Sequence, residues 1–312
     1  MLQIGIQTKN IIDDTYPQEG FELLKKVGFH CVDFSLDAYL VSKDLYPLNG
    51  RDFFAKSIEE LKEYFTPHKQ AAKKVGIKIN QMHMSSPVFV PTRKREINEY
   101  LWYEVAEKSM HICKFLECPY IVIHGFKMAK FLGSEEAEWQ ETEKFIDFLA
   151  PMAKEMGITI CIENIHDNFG EHLMEGSCCD ARKAVERIDR INEKYQAEVL
   201  GYCFDTGHAN LVGVDFEDFL SRLGHRLKVL HIHDNDGVRD LHQIPFAYTR
   251  TRDNQPSTDW DGFIKGLQKS QFDGVLSFEA APVFESFPKE MKEDTMWFMA
   301  RIGKYFISKV LG

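Results

Sequence analysis

The chain has 312 residues, 44% of them hydrophobic, and a formal net charge of −10. That is enough for one large core, and the acidic balance speaks against a nucleic-acid binder, which needs a basic face to neutralise phosphates. The nearest basic run, Arg93-Lys94-Arg95, reads as the solvated start of a helix; a small anionic substrate stays compatible, because a pocket can differ from the average surface.

No Gly/Ser/Pro-rich stretch, charge block or low-complexity segment divides the sequence, so residues 1–312 read as a single domain. The seven cysteines follow no CxxC or zinc-finger spacing. Cys161 and Cys203 read as small core residues, and the Cys178-Cys179 pair as thiols of a reducing compartment. The first residues, MLQIGIQT, read as a strand without a leader pattern, and no apolar run approaches a membrane span. The expectation is a soluble, cytoplasmic protein without a membrane partner.

Short β-branched or aromatic runs recur in chain order at 2–7, 31–36, 77–83, 120–124, 158–163, 200–205, 227–233 and 274–279. Between them lie stretches of helical spacing, such as Phe145, Phe148, Leu149, Met152 and Met156, which mark one helix stripe. Gly28, Gly76, Gly157 and Gly274 each precede a strand, where a turn out of a helix calls for positive φ. Strand alternating with helix predicts a parallel α/β sheet, and eight such units predict closure into a (β/α)8 TIM barrel with outer helices. A doubly wound open sheet is the rival. Against it, no GxGxxG follows the first strand, and reactive residues end many strands instead of gathering at one switch point.

Six successive strands end in a residue that can bind a metal: His83, His124, Glu163, Asp205, His231 and Glu279. Residues two apart on a strand share a face. Behind His124, Glu163, Asp205 and Glu279 stand Val122, Cys161, Cys203 and Ser277, small enough for a crowded barrel interior. The intervening Ile123, Ile162, Phe204 and Phe278 suit the helix layer. The polar ends therefore point together into the barrel mouth. A single such residue is ordinarily just solvated, but carboxylates packed this closely repel one another, and a divalent cation removes that cost. Oxygen and imidazole ligands without thiolate suit Mn or Zn first, with Co, Mg or Fe also compatible.

At these residues the chain resembles the xylose isomerase-like barrel superfamily, which includes sugar phosphate isomerase/epimerases, ketose 3-epimerases, inosose dehydratases and endonuclease IV. The resemblance runs along nearly the whole chain as an ordered series: Ile162-Glu163-Asn164, Phe204-Asp205-Thr206-Gly207-His208, His231-Ile232-His233-Asp234-Asn235, Asp240-Leu241-His242, Thr258-Asp259-Trp260 and Ser277-Phe278-Glu279. It implies one divalent metal on Glu163, Asp205, His231 and Glu279. The larger endonuclease IV set adds His83, His124, His208, Asp240 and His242, which leaves room for a second metal or for substrate contacts. The implied activity is a metal-dependent sugar or sugar phosphate isomerase/epimerase working through a metal-stabilised enediolate, with Glu163 and Glu279 as the acid/base pair. An inosose-type dehydratase is the alternative, and a metal phosphodiesterase ranks below it because basic DNA-contacting loops are absent. The epimerases carry an Arg soon after the metal His; here Arg239 is displaced from that spacing. The loop 234–258, with Arg250 and Arg252, reads equally as a substrate lid or a solvated loop. Lys127 is a further candidate for the far end of the pocket. Trp102 and Trp139 fall in helical segments and suit packing, and Trp260 suits either packing or the pocket. A homo-oligomer is compatible with such a barrel.

Overall fold

The structure, a computed structural model, describes residues 1–40, 45, 53–91, 94–128, 134–170, 172–250 and 255–312. Eight parallel strands form its centre: β1 (Gln3–Gln7), β2 (Cys31–Ser35), β3 (Lys78–His83), β4 (Tyr120–His124), β5 (Thr159–Glu163), β6 (Leu200–Asp205), β7 (Leu227–His231) and β8 (Val275–Phe278). From β1 to β6 each pairs with its successor, and β8 pairs with β1. The ring closes through a parallel bridge between Ile232 and Phe278, where Ile232 N–H donates to Ser277 O at 2.8 Å and Glu279 N–H donates to Ile232 O at 3.1 Å. The result is a (β/α)8 barrel, as the alternation of elements predicts.

The two faces of each strand separate the core into two parts. Val122, Cys161, Cys203 and Val229 form a small apolar cluster inside the barrel. Ile123, Ile162, Phe204 and Phe278 belong to the much larger cluster between sheet and helices. Each fully buried aromatic side chain there contributes about 1.5–3 kcal/mol of transfer free energy. Helix Ser134–Met156 buries Phe145, Ile146, Leu149, Ala150 and Ala153, while Phe148, Met152 and Met156 lie at the edge of that face. The expected stripe is thus rotated slightly toward Ile146.

Local chemistry explains where helices begin and end. Ser57 and Glu60 form a reciprocal capping box at the start of helix Ile58–Val75, and Gly76, at φ 71°, ends it. Gly274 corrects the expectation from sequence. The left-handed residue before β8 is Gln271, at φ 57°, and a Cβ on Gly274 would lie 2.6 Å from the Phe272 ring. Gly274 is therefore needed for close packing. Trp260 is buried against Phe246, Phe263 and Phe306, so it packs the last helices. Among the described residues, no helix is long and apolar enough to cross a membrane.

Candidate metal centre at the barrel mouth

Strand register brings the strand-end residues level. His124 is the Cα partner of Glu163, and Asp205 is the partner of His231. Ile6 pairs with Phe278, so Gln7 and Glu279 follow side by side. Ligand atoms of Glu163, Asp205, His231 and Glu279 come within 4.8 Å of one another. His231 is the hub: its Nδ1 lies 3.1 Å from Glu163 Oε2 and 3.2 Å from Glu279 Oε2.

Around Glu163 the imidazoles crowd further. His208 Nδ1 stands 3.1 Å from Oε1, and His124 Nε2 and His83 Nε2 stand 3.4 and 3.6 Å from Oε2. On the other side, His208, His233, Asp240 and His242 form a second group, and His83, His124 and Glu163 form a third. Asp240 Oδ2 joins His208 Nε2 at 3.3 Å to His242 Nε2 at 3.1 Å. His242 occupies the left-handed region at φ 47°, a strained setting for a non-glycine residue and one that recurs at functional sites. These groups surround a cavity of about 180 Å³ at the C-terminal ends of the strands. A larger hollow, about 770 Å³ beside Gly224, Lys228 and Gly274, lies at the opposite end of the barrel. There the described residues place no such group.

Electrostatics follow from burial. Taking Glu163 wholly out of water should raise its pKa, yet His231 and His124 hold it well below the usual carboxylate range. Burial likewise opposes ionisation of Asp205, and His208 and His233 hold its pKa down. Carboxylates act in the opposite sense on the imidazoles. Against their own burial, His83 is pushed up to about 10, mainly by Asp37 and Glu163, and His242 to about 9 by Asp240 and Glu279.

The residues fit a divalent cation. Both carboxylate oxygens of Glu163 and both ring nitrogens of His231 are buried without an aligned hydrogen-bond partner among the described residues. Buried polar atoms are ordinarily paired, and leaving one unpaired costs about 1–3 kcal/mol. A cation between them would satisfy oxygen and nitrogen lone pairs together.

Three polar residues that sequence reasoning did not assign to the site support this set from outside. Gln7 donates from Nε2 to Glu279 Oε1 at 2.6 Å. His233 Nε2 lies 2.9 Å from Asp205 Oδ2, and Asp33 Oδ2 lies 3.0 Å from His231 Nε2. His233 was accessible to the alternation rule, since it stands two residues beyond His231. Asp33 could have been noticed as the one charge in the apolar run Cys31–Leu36.

The other candidates fall elsewhere. Arg239 is not brought to the cluster; its side chain is 71% exposed and its guanidinium pairs with Asp236 at 2.7 Å. The loop after β7 is tied down, because Asp234 accepts from Thr258 Oγ1 at 2.6 Å and exchanges backbone hydrogen bonds with Gln243. The backbone at Arg250 pairs with Gln255, and Arg252, like Arg93, lies outside the described residues. Lys127 is half-buried, its pKa lowered by burial, and senses the charges of Asp240 and Glu163.

Fold and site together define a parallel α/β barrel whose C-terminal mouth holds a dense carboxylate–imidazole cluster. The profile of the xylose isomerase-like TIM barrel matches residues 21–300, and the chain belongs to that family. An inosose isomerase of Bacillus velezensis is 22% identical over 308 residues, covering 96% of each chain. An uncharacterised protein of Sinorhizobium fredii is 24% identical over 201 residues, and the match spans 62% of this chain and 58% of that one. Among solved structures, a D-tagatose 3-epimerase-like protein superposes with a TM-score of 0.66 at 18% identity, covering 99% and 98% of the two chains. The IolI protein with a bound zinc atom superposes with a TM-score of 0.62, also at 18% identity and the same coverage.

Proposed function

We propose that the chain is a divalent-cation-dependent isomerase or epimerase of a sugar or sugar phosphate. In this reading Glu163, Asp205, His231 and Glu279 hold the cation, and Glu163 and Glu279 are the acid/base pair. The observation that carries it is the convergence of two glutamates from distant strands, β5 and the end of β8, on one imidazole nitrogen at 3.1 and 3.2 Å. The sugar isomerase and epimerases among its relatives support the reaction class, and the zinc of IolI supports a metal. Manganese or zinc suits this oxygen and nitrogen donor set.

A bound divalent cation would draw electron density from a substrate carbonyl and stabilise the negative charge left when the neighbouring proton departs. The glutamates do the proton work. One carboxylate takes the α-proton and the bond's electron pair moves toward the carbonyl oxygen. The other carboxylate returns a proton as the electron pair comes back from the oxygen: to the opposite face of the same carbon for epimerisation, or to the former carbonyl carbon for isomerisation, in which case the neighbouring hydroxyl proton passes to the former carbonyl oxygen. Gln7 holds one oxygen of Glu279 and leaves Oε2 facing the cluster. Walls of buried His83 and His208 limit water around Glu163, which strengthens each charge interaction there. The second group, His208, His233, Asp240 and His242, would take a second cation or bind substrate hydroxyls. A dehydratase would use the same proton abstraction and then expel a β-hydroxyl.

The test is proton exchange. The protein is loaded with Mn²⁺ or Zn²⁺ and mixed in D₂O with ketoses, ketose phosphates and inososes, and solvent deuterium at the α-carbon is followed by mass spectrometry and, after metal removal, by NMR. One substrate should exchange, and Glu279→Gln should slow that exchange about 10²–10⁴-fold, the usual weight of a general acid/base. No exchange across the panel with metal bound would overturn the reading.

A further inference from the structure

We propose that the outer face of helix Lys292–Leu311 is the interface of a two-fold symmetric dimer, covered by the same face of a second copy of the chain. Apolar residues line this helix on both sides. Its inner side, with Met296, Met299, Ile302 and Phe306, is buried, and Gly303 lets it approach Ile4 and Phe278 closely. Its outer side carries Trp297 and Phe298, 50% and 52% exposed, with Met291 at the cap and Tyr305 two turns beyond Phe298, both also exposed. Single exposed apolar residues are ordinary, but a helix apolar all round is normally buried on all sides. Phe246 extends the face, its exposed ring 6.0 Å from that of Tyr305.

The charges on this face select the occupant. Met291, Asp294, Phe298, Arg301 and Tyr305 recur at alternating intervals of three and four, with Trp297 beside them, so they share one stripe. Two helices pack along a seam of that spacing. Neither Asp294 nor Arg301 has an ion-pair partner among the described residues, whereas the neighbouring Glu293 is held by Lys26 at 2.6 Å. Arg301 lies over Trp297, its guanidinium carbon 4.7 Å from the ring centroid, which keeps it on the face. Along the helix the stripe therefore runs acid, two aromatics, base. Such an order is complementary to itself only when reversed. Two copies of the helix, antiparallel about a two-fold axis between Trp297 and Phe298, set Asp294 of each copy against Arg301 of the other. Trp297 of each then meets Phe298 of the other. Parallel copies would oppose like charges. A two-fold axis across the helices generates the antiparallel pair, and it is the commonest symmetry of protein assemblies. Aromatic residues and arginine are the types enriched at interfaces.

The test is sedimentation velocity on the full chain, 36.2 kDa as a monomer, over a range of micromolar concentrations. The wild type should sediment as a dimer that dissociates on dilution. Trp297→Ala should weaken the dimer about 30-fold or more, as loss of a central aromatic does. Asp294→Arg and Arg301→Asp should each weaken it about tenfold, by turning two attractions into two repulsions. An equimolar mixture of these two charge variants should form dimers again, because each supplies the charge that the other lacks. The substituted side chains are exposed, and circular dichroism checks that each variant folds. A wild type that stays monomeric at high micromolar concentration would overturn the inference and leave the face to a different class of partner. A dimer indifferent to Trp297→Ala would also overturn it, since the interface would then lie elsewhere. Charge variants that pair no better mixed than alone would overturn the antiparallel arrangement.

Discussion

Two clusters of ionisable side chains among the described residues are satisfied in opposite ways. In the first, outside the barrel mouth, Asp14 accepts from Tyr39 and His68 on Oδ1, at 2.7 and 2.9 Å, and from Tyr64 on Oδ2, at 2.9 Å. Its side chain is 42% exposed, so water serves it as well. In the second, Glu163 is wholly buried, yet neither of its oxygens has an aligned partner among the described residues. Stability alone would select the reverse, since the cost of an unpaired polar atom grows with burial. The Asp14 cluster is complete as protein and ties the loop after β1 to helix Ile58–Val75. The Glu163 cluster leaves buried oxygen and nitrogen atoms without aligned partners among the described residues, within 4.8 Å of one another, and the proposed cation would satisfy them.

The largest expected effect that separates the clusters is cation linkage. Zinc or manganese at 100 times its Kd should stabilise the fold by about 2.7 kcal/mol, a rise in Tm of roughly 5 °C by calorimetry for a chain of this size. A chelator should remove the gain. The same experiment on a Glu163→Gln variant should show little of it, whereas Tyr64→Phe should keep it in full; equal gains in both would erase the distinction.

A smaller effect concerns the support of Asp205. A Cβ on Gly207 would overlap the His233 ring, which stacks on His242 with centroids 3.9 Å apart. Gly207→Ala should cost about 1–3 kcal/mol, as overpacking does, and should weaken cation uptake besides. Denaturant titration and metal binding would read these separately, and unchanged uptake would show that Asp205 does not depend on His233.

The smallest effect lies in the Asp14 cluster. Burial raises the Asp14 pKa, but hydrogen bonds from His68, Tyr39 and Tyr64 outweigh it and hold the pKa below its ordinary 3.8. A depressed carboxylate stabilises the fold above its unfolded pKa, and that contribution is lost as pH falls through the folded one. Tyr39→Phe should therefore cost about 1 kcal/mol at pH 7, a value kept modest by solvent exposure. The cost should fade as pH falls through the lowered folded pKa, itself below 3.8, until wild type and variant both carry a protonated Asp14. A penalty independent of pH would mean that Tyr39 contributes through its packing against Phe53 instead.

Sequence revealed the barrel because its information is periodic. The strand ends His124, Glu163 and Asp205 follow from alternation within a strand, and the inner cluster of Val122, Cys161 and Cys203 follows from the same rule. Residues whose role depends on contacts between strands were harder to read. Gln7 meets Glu279 across 272 positions of sequence, and Asp33 meets His231 across the barrel. Neither spacing is visible along the chain. The loop after β7 resisted for another reason: bonds such as Asn235 Nδ2 to Gly207 O, at 2.8 Å, set its path. Those bonds leave Arg239 outside and carry Asp240 and His242 inward, a division that composition could not indicate.

The most direct test of the distinction between the two clusters is anomalous diffraction from crystals soaked in Zn²⁺ and measured on both sides of the zinc absorption edge. The account predicts a strong peak among Glu163, Asp205, His231 and Glu279, and none at Asp14, Tyr39, Tyr64 and His68. An ordered Glu163 cluster without a peak at saturating zinc, its carboxylates paired only with imidazoles, would contradict it.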